Sequence, residues 1–226
     1  MTPQDLLRLH PFFAALPARD VEKLLLRASC KSVRAGRQIF QKDDPGDGLY
    51  GVLVGHIAFT VDSEDGRVLT LNVLGPGEFF GEIAIFDGRP RTASAAAMER
   101  ADLLRIHRDH FLPYVKANPD LIVRMLSLVC DRLRWASSTI EDTAFLSFPA
   151  RIAKRLLFLA DHHRRPEGHD ITIPISQHDL GNMVGASRET VNKQLALWRS
   201  AGVLDTGRGT LVIRNPDALR DLIGCA

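Results

Sequence analysis

The fold of this chain is decided by residues 119–143, which read PDLIVRMLSLVCDRLRWASSTIEDT. A heptad repeat of apolar or small residues keeps one side of a helix turned toward a partner helix. We therefore predict a long helix whose repeat face, called the seam below, packs against a second copy of the chain. The seam consists of Ile122, Leu126, Val129, Leu133, Ala136, Ile140 and Thr143.

A second apolar row lies on another side of the same predicted helix. It comprises Leu121, Met125, Leu128 and Trp135 and is expected to pack against the chain's own core. The alternative is a long amphipathic core helix in a monomer. The segments on either side decide between the two.

The segment before the seam predicts a β-rich domain. Short runs rich in β-branched and aromatic residues alternate there with turn signals. Many short strands at regular spacing indicate a sandwich or barrel. The expected strands span residues 38–41, 48–61, 68–73, 92–97 and 101–107, with short helices over residues 2–30 and 110–118.

Beyond the seam, Pro149 stands where the first turn of a helix tolerates proline, and this helix is expected to run to about residue 163. A charged loop is predicted over residues 162–170. Residues 175–204, ISQHDLGNMVGASRETVNKQLALWRSAGVL, then predict two short helices. Ser176 and Ser187 are suited to cap their N-termini, and Gly185 to end the first of them.

Two helices joined by a glycine-containing turn are typical of a helix-turn-helix. The inner positions would be Leu180, Val184, Val191, Leu195 and Trp198, and the outer ones Arg188, Glu189, Asn192 and Lys193. Arginine can donate two bonds to guanine, and glutamate can accept from the cytosine amino group. A hairpin over residues 203–214 would form a wing. The alternative is an ordinary helical hairpin with a solvated charged face.

A glycine-containing cassette lies between the predicted strands at residues 80–93, FGEIAIFDGRPRTA. Glycine lets a backbone approach a ligand closely, Glu82 can accept bonds from a sugar hydroxyl, and Arg91 can hold a phosphate through two parallel bonds. Backbone amides of a helical turn from Glu82 would add to an anion site. Taken alone, these residues also fit an ordinary turn with a surface ion pair.

The cassette, the β-rich segment, the long helix and the motif Ser187-Arg-Glu-Thr-Val together resemble the bacterial cAMP receptor protein and fumarate–nitrate regulator (CRP/FNR) superfamily of transcription regulators. The resemblance covers nearly the whole chain, with both motifs in the expected order. It implies an α+β fold with a cyclic-nucleotide-binding β jelly roll over residues 1–118. A dimerisation helix and hinge would follow over 119–146, and a winged helix-turn-helix over 147–226.

The resemblance also assigns the ligand contacts. Glu82 would hold the ribose 2′-hydroxyl and Arg91 the cyclic phosphate, while Gly81, Ile83, Ala84 and Thr92 would line the same pocket. Ala136 and Ser137 stand where the family has a Thr-Ser pair that touches the adenine. Only Ser137 keeps a hydroxyl, so the effector implied is cAMP, with cGMP or a promiscuous site left open.

On the DNA side, the resemblance implies contacts from Ser176, His178, Ser187, Arg188, Glu189, Asn192 and Lys193. Lys193 replaces the family's more familiar arginine and lacks its rigid fork, so the preference at that base pair is expected to relax. The implied partners are near-palindromic double-stranded DNA, a second copy of the chain in a homodimer, and RNA polymerase.

The composition of the 226 residues is that of a globular protein, with 45% hydrophobic and 25% charged residues and a net charge of +2. Residues from 147 onward carry a small basic excess, which permits a nucleic-acid partner. No apolar run of membrane-spanning length and no signal peptide is recognised, so we expect a cytoplasmic protein without membrane partners. Cys30, Cys130 and Cys225 stand singly, which disfavours disulfides, zinc and iron–sulfur clusters.

No motif of an enzyme is recognised, neither a catalytic triad nor a phosphate-binding Walker loop. Two other functions stay open. One is a cyclic-nucleotide sensor that acts on a protein partner. The other is a DNA-binding regulator with a gas or redox signal or with no effector, although His56, His107 and His110 are poor candidates for haem ligands and no metal is expected.

Overall fold

A computed structural model of the protein describes residues 1–13, 16–163 and 170–224, and the side chains of His162 and His163 are not among those described. Cys225 and most of the loop predicted over residues 162–170 lie outside these residues. Backbone contacts divide the chain into two units. The first is Met1–Val61 with Leu71–Arg134, and the second is Asp62–Thr70 with Trp135–Ala226.

The N-terminal part of the chain is rich in strands flanked by helices. Helices α1 (Pro3–Leu9) and α2 (Ala18–Leu26) come first. The strands are β1 (Ala28–Val33), β2 (Gln38–Phe40), β3 (Gly48–Val54), β4 (Ile57–Asp62), β5 (Val68–Leu74), β6 (Phe79–Phe80), β7 (Ser94–Ala97) and β8 (Ala101–His107). Helix α3 (Glu82–Phe86) lies between β6 and β7, and α4 (Arg108–Ala117) follows β8.

These strands form two antiparallel sheets, in the orders β1-β8-β3-β6 and β2-β7-β4-β5. Apolar side chains from both sheets, such as Val52, Ile57 and Leu103, form one buried cluster. A second cluster joins the outer face of β3 and β8 to the helices, with Phe13 and Phe111 fully buried in it. The arrangement is the predicted β-rich jelly roll.

In this region two sequence-based boundaries were wrong and one strand was missed. The first helical region ends at Leu26, because β1 begins at Ala28, where Ala28 pairs with Ile106 of β8. The run predicted over residues 48–61 is two strands, separated at Gly55, whose φ of 83° breaks the extended backbone. Strand β6 was missed because two residues carry no periodic signal.

Helix α5 (Pro119–Phe145) covers the whole predicted long helix. Leu121 and Met125 of the second apolar row are buried in the core beside α4, as predicted. The seam residues are exposed in the single chain, with Leu133 at 66% and Ile140 at 70% exposure. A partner for the seam stays a prediction, and among the described residues of this chain none covers these side chains.

The second unit contains the predicted helix-turn-helix. Its elements after α5 are α6 (Phe148–His163), β9 (Ile171–Ile173), α7 (Gln177–Val184), α8 (Arg188–Ser200), β10 (Leu204–Gly207), β11 (Thr210–Ile213) and α9 (Pro216–Gly224). Strands β10 and β11 form the predicted wing hairpin, and β9 adds to its edge. The sequence analysis missed β9 and α9, whose Leu219 is fully buried.

Among the described helices, none combines the length and the apolar character needed to cross a membrane.

Candidate functional site

Arg91 is the centre of the cassette and is only 3% exposed. Its Nη1 donates to the carbonyl oxygen of Gly81 at 2.8 Å, and its Nη2 donates to the carbonyl oxygen of Gly48 and to Asp47 Oδ1, both at 2.9 Å. The guanidinium lies 4.2 Å from the centroid of the Phe40 ring. Its Nε is buried and finds no hydrogen-bond partner among the described residues. The side chain is thus held in place by three hydrogen bonds, while its Nε–H keeps no acceptor.

Gly81 makes this arrangement possible. It is the N-cap of α3 with φ 88° and ψ 9°, the left-handed conformation that glycine adopts without strain. A Cβ atom at this position would lie 2.6 Å from Arg91 Nη1 and 3.0 Å from the carbonyl oxygen of Gly48. Both the turn and the close approach of Arg91 therefore require glycine.

Glu82, the first residue of α3, is 4% exposed. Its Oε1 lies 3.8 Å from Nε of Arg132 on α5, and Arg132 also donates to the carbonyl oxygen of Phe79 at 2.8 Å. Burial raises the pKa of Glu82, and the charge of Arg132 opposes that rise. The carboxyl group is therefore buried next to a cation.

Asp47 links Arg91 to a second arginine. Its Oδ1 accepts from Arg91, its Oδ2 accepts from Arg105 Nη2 at 2.6 Å, and the Tyr50 hydroxyl donates to Oδ1 at 3.1 Å. Burial, followed by the negative charge of Asp47, raises the pKa of Tyr50 to about 12. The Tyr50 ring stacks on Phe80 at 5.2 Å. Two cations and one carboxylate thus share one network behind the cassette.

The structure brings together only some of the predicted ligand residues. Gly81 and Arg91 touch, and Glu82 follows Gly81 on α3. Ala84 is buried, whereas Ile83 is 39% exposed and Thr92 is exposed. Ala136 and Ser137 are exposed on α5, in the second unit. The sequence analysis missed Asp47, Arg105 and Arg132, because each lies far along the chain from the cassette.

The shape of the helix-turn-helix is set by the caps of its two helices and by Gly181. Ser176 Oγ accepts from the Asp179 amide at 3.1 Å, and Ser187 Oγ accepts from the Thr190 amide at 3.2 Å. Gly185 ends α7 with φ 65°. A Cβ on Gly181 would lie 2.7 Å from the carbonyl oxygen of Ala186, so Gly181 allows the turn to fold back on α7.

The predicted faces of α8 are confirmed. Val191, Leu195 and Trp198 are buried, and Arg188, Glu189, Asn192 and Lys193 are exposed together along the opposite side. On α7, Leu180 is buried, but Val184 is only partly so and Met183 takes the inner position instead. Val184 precedes the turn at Gly185, where the helix face rotates away from the core. His178 is exposed on α7, near Asn182.

The wing adds one further basic residue. Arg208 is exposed at the tip of the β10–β11 hairpin, followed by Gly209 with φ 73°. Arg199 of α8 donates to Thr206 Oγ1 at 3.4 Å, a long bond that ties the hairpin to the helix. A basic side chain at such a tip can contact a DNA phosphate.

The histidines considered as haem ligands have other contacts. His56 Nδ1 lies 2.6 Å from Glu99 Oε1, and His107 Nδ1 accepts from the Asp109 amide at the start of α4. Within residues 1–13, 16–163 and 170–224, no cluster of three or more His, Cys, Asp or Glu side chains is placed to hold a metal ion. Cys30 and Cys130 are free and exposed.

Comparison with known proteins agrees with both halves of this description. The cyclic nucleotide-binding domain family matches residues 30–118, and the Crp-like helix-turn-helix domain family matches residues 150–222. A CRP-like cAMP-activated global transcriptional regulator of Mycobacterium tuberculosis is 33% identical over 186 residues, which are 81% of this chain and 83% of that protein. The cyclic AMP receptor protein of Thermus thermophilus is 31% identical over 212 residues, 94% of this chain and 96% of that protein.

Among solved structures, a transcriptional regulator of the CRP/FNR family from Thermus thermophilus superposes with a TM-score of 0.74 at 28% identity. The match covers 87% of this chain and 98% of that structure. These relatives are transcription regulators and not enzymes. With a nucleotide-binding domain, a Crp-like helix-turn-helix and such identity over most of its length, the chain belongs to the CRP/FNR superfamily of DNA-binding transcription regulators.

Proposed function

We propose that this protein is a homodimeric transcription regulator whose affinity for DNA is controlled by a cyclic nucleotide, with cAMP as the first candidate and cGMP as the second. The observation that carries the effector is Arg91. It is buried, oriented by two carbonyl oxygens and stacked on Phe40, yet its Nε has no partner. A buried donor without an acceptor is costly, and a phosphate oxygen would remove that cost.

The cassette would hold the two polar parts of the nucleotide separately. Arg91 would bind the cyclic phosphate, with Gly81 allowing close approach and Ile83, Ala84 and Thr92 beside it. Glu82 would accept from the ribose 2′-hydroxyl, and the charge of Arg132 would oppose the rise in the Glu82 pKa that burial causes. When phosphate binds, the ion pair between Asp47 and Arg91 would weaken, and Asp47 would stay paired with Arg105.

The protein would discriminate only weakly between the adenine of cAMP and the guanine of cGMP. Ser137 offers a hydroxyl to it and Ala136 does not. One hydroxyl contact contributes on the order of 1 kcal/mol, so cAMP binding would be weakened rather than lost, and discrimination against cGMP would shrink accordingly.

The seam would form the dimer. It exposes a row of aliphatic side chains along α5, and an exposed apolar row at heptad spacing is typical of a helix–helix interface. Two copies would place their α8 helices about 34 Å apart, one turn of DNA, and bind a near-palindrome. Ligand can favour the DNA-binding arrangement only through a higher affinity for it.

Within each half-site, Arg188, Glu189 and Lys193 would contact base edges from the exposed N-terminal half of α8. Ser176, His178, Ser187 and Asn192 would contact the backbone or bases nearby, and Arg208 would add a phosphate contact. A regulator of this kind would act in the cytoplasm, where DNA is, with RNA polymerase as its functional partner.

Titration calorimetry with cAMP and with cGMP tests the effector. We expect saturable binding of at least one, and no heat and no thermal stabilisation from either would exclude both.

DNA recognition is tested by selection from a random pool. The wild-type protein should recover a near-palindromic site, and Arg188→Ala should cost about 1 to 3 kcal/mol and relax specificity at one base pair. An unchanged preference in the variant would remove Arg188 from the reading role.

A further inference from the structure

The C-terminal part of α5 is held against α6 by two cationic side chains of α6. Lys154 Nζ lies 2.5 Å from Asp142 Oδ1 and 3.3 Å from Ser138 Oγ. The Asp142 side chain is 22% exposed and that of Lys154 41%, so the pair is partly shielded from water. This contact joins the two helices near their shared turn.

A second contact lies farther from that turn. The Arg155 guanidinium is 5.3 Å from the centroid of the Trp135 ring and 6.0 Å from that of Phe158. Arginine over an indole face is a favourable cation–π arrangement, and it strengthens when water is excluded. Arg155 is substantially buried, and burial lowers its pKa.

The two contacts lie at different heights along α5. Trp135, Ser138 and Asp142 are spaced by three and four residues, so they share one face of α5. Trp135 and Asp142 are seven residues apart, about 10 Å along the axis. On α6 the two side chains come from consecutive residues, so one level of α6 is attached to two levels of α5, which restrains α5 from sliding and tilting against α6.

We propose that Lys154 and Arg155 are positioning residues that join residues 135–145 of α5 to α6 as one body with the helix-turn-helix. We call this set of five residues, Trp135, Ser138, Asp142, Lys154 and Arg155, the clasp. The turn at Leu146 and Ser147 between the two helices then does not act as a free hinge. Ser137 lies within the clasped segment, so a ligand contact there acts on the DNA-reading unit without an intervening joint. This last step rests on the proposed function.

Amide hydrogen exchange tests the clasp without any ligand. In Lys154→Met/Arg155→Met, exchange of the amides of residues 144–150 should rise roughly fivefold or more, because the turn gains local opening. Lys154→Arg, which keeps the charge, should stay near wild type. Lys23→Met, which breaks an exposed ion pair with Asp20, is the matched control and should leave residues 144–150 unchanged. Exchange as slow in the double variant as in wild type would overturn the proposal.

The coupling is tested by fluorescence anisotropy on the selected operator, with and without cAMP. The ratio of the two DNA affinities should fall about threefold or more in the double variant and stay constant in Lys23→Met. Faster exchange with an unchanged ratio would refute the positioning role. If wild type shows no cAMP response, the measurement is made with cGMP. A response to neither nucleotide contradicts the effector proposal, and the exchange experiment still decides the clasp. Should the double variant not fold, Ser138→Ala/Asp142→Asn serves in both measurements.

Discussion

A buried arginine needs an acceptor for each N–H group that it takes out of water, and Arg91 has acceptors at two of its three nitrogens. The fixed guanidinium plane means that the remaining Nε–H points in a set direction. An anion that binds there meets a prepared donor and does not have to order a flexible side chain. The residue is suited to recognise phosphate for this reason.

Replacing Arg91 by glutamine should lower the affinity for cAMP about 100-fold, because the loss of charge-assisted bonds to phosphate costs about 3 kcal/mol. Titration calorimetry measures the change. Arg89→Gln is the control, since Arg89 belongs to the same cassette but is exposed. Equal affinity of the Arg91 variant and wild type would contradict the assignment.

His10 predicts a dependence of stability on pH. Burial, with the charge of Arg132 in second place, lowers the pKa of His10 to about 4 from 6.5. Between these values the unfolded chain binds more protons than the folded one, so stability falls as the pH falls through that range. The free energy of unfolding, measured with a chemical denaturant at about pH 7 and about pH 4.5, should decrease less in His10→Asn than in wild type. We expect the two decreases to differ by about 1 kcal/mol, a value reduced because part of the His10 ring is solvated.

The control for His10 is His178→Asn, which replaces an exposed histidine. It should lose as much stability as wild type over the same pH range. A His10 variant that behaves in the same way would show that the ring is not kept neutral by the fold.

The residues of the site were predictable only as far as they are local. Gly81, Glu82 and Arg91 lie within one short cassette, and the chemistry of phosphate and sugar points to them. Asp47 and Arg132 reach the same place from other elements, and one sequence contains no signal for such pairings. Predicting them requires the strand register that sets Gly48 opposite His107 and Tyr50 opposite Arg105.

At the scale of elements, those with their own start and stop signals were predicted well. Helices α7 and α8 carry a serine cap each, and Gly185 ends the first, so the boundaries follow from local chemistry. Strands β1 and β9 owe their existence to a partner strand, with Ala28 opposite Ile106 and Ile173 opposite Leu211. Tertiary pairing decides such segments, and the amino-acid pattern alone does not.

Gly181 is the residue on which the turn between α7 and α8 depends. Gly181→Ala should destabilise the helix-turn-helix by about 1 to 3 kcal/mol, because the new Cβ meets the Ala186 carbonyl oxygen at 2.7 Å and the turn must open. Urea unfolding followed by circular dichroism measures the loss, and operator affinity should fall with it. Asn182→Ala, on the next residue, is the control. Equal stability of the Gly181 variant and wild type would show that the turn accommodates a Cβ atom beside the Ala186 carbonyl oxygen.

At the scale of the whole molecule, the proposed homodimer depends on the seam. Leu133→Asp/Ile140→Asp should convert the dimer to a monomer, measured by sedimentation equilibrium, because two charges would enter an apolar interface. Both side chains are exposed in one chain, so folding of the monomer should be unaffected. Leu26→Asp, at an 86% exposed position of α2, should leave the mass unchanged. A wild-type monomer, or a variant that stays dimeric, would contradict the seam.

Asp47, which bridges Arg91 and Arg105, has a consequence for selectivity among the many phosphates of a cell. In the proposed phosphate site, Arg91 is already paired with a tethered carboxylate, which would compete with an incoming anion at high effective concentration. Inorganic phosphate offers nothing beyond its charge and gains little by displacing that group. Under the proposed function, a cyclic nucleotide would also bring a ribose hydroxyl to Glu82. Because Asp47 pairs with Arg91 when no ligand is bound, abundant phosphate-containing metabolites would bind too weakly to activate the regulator.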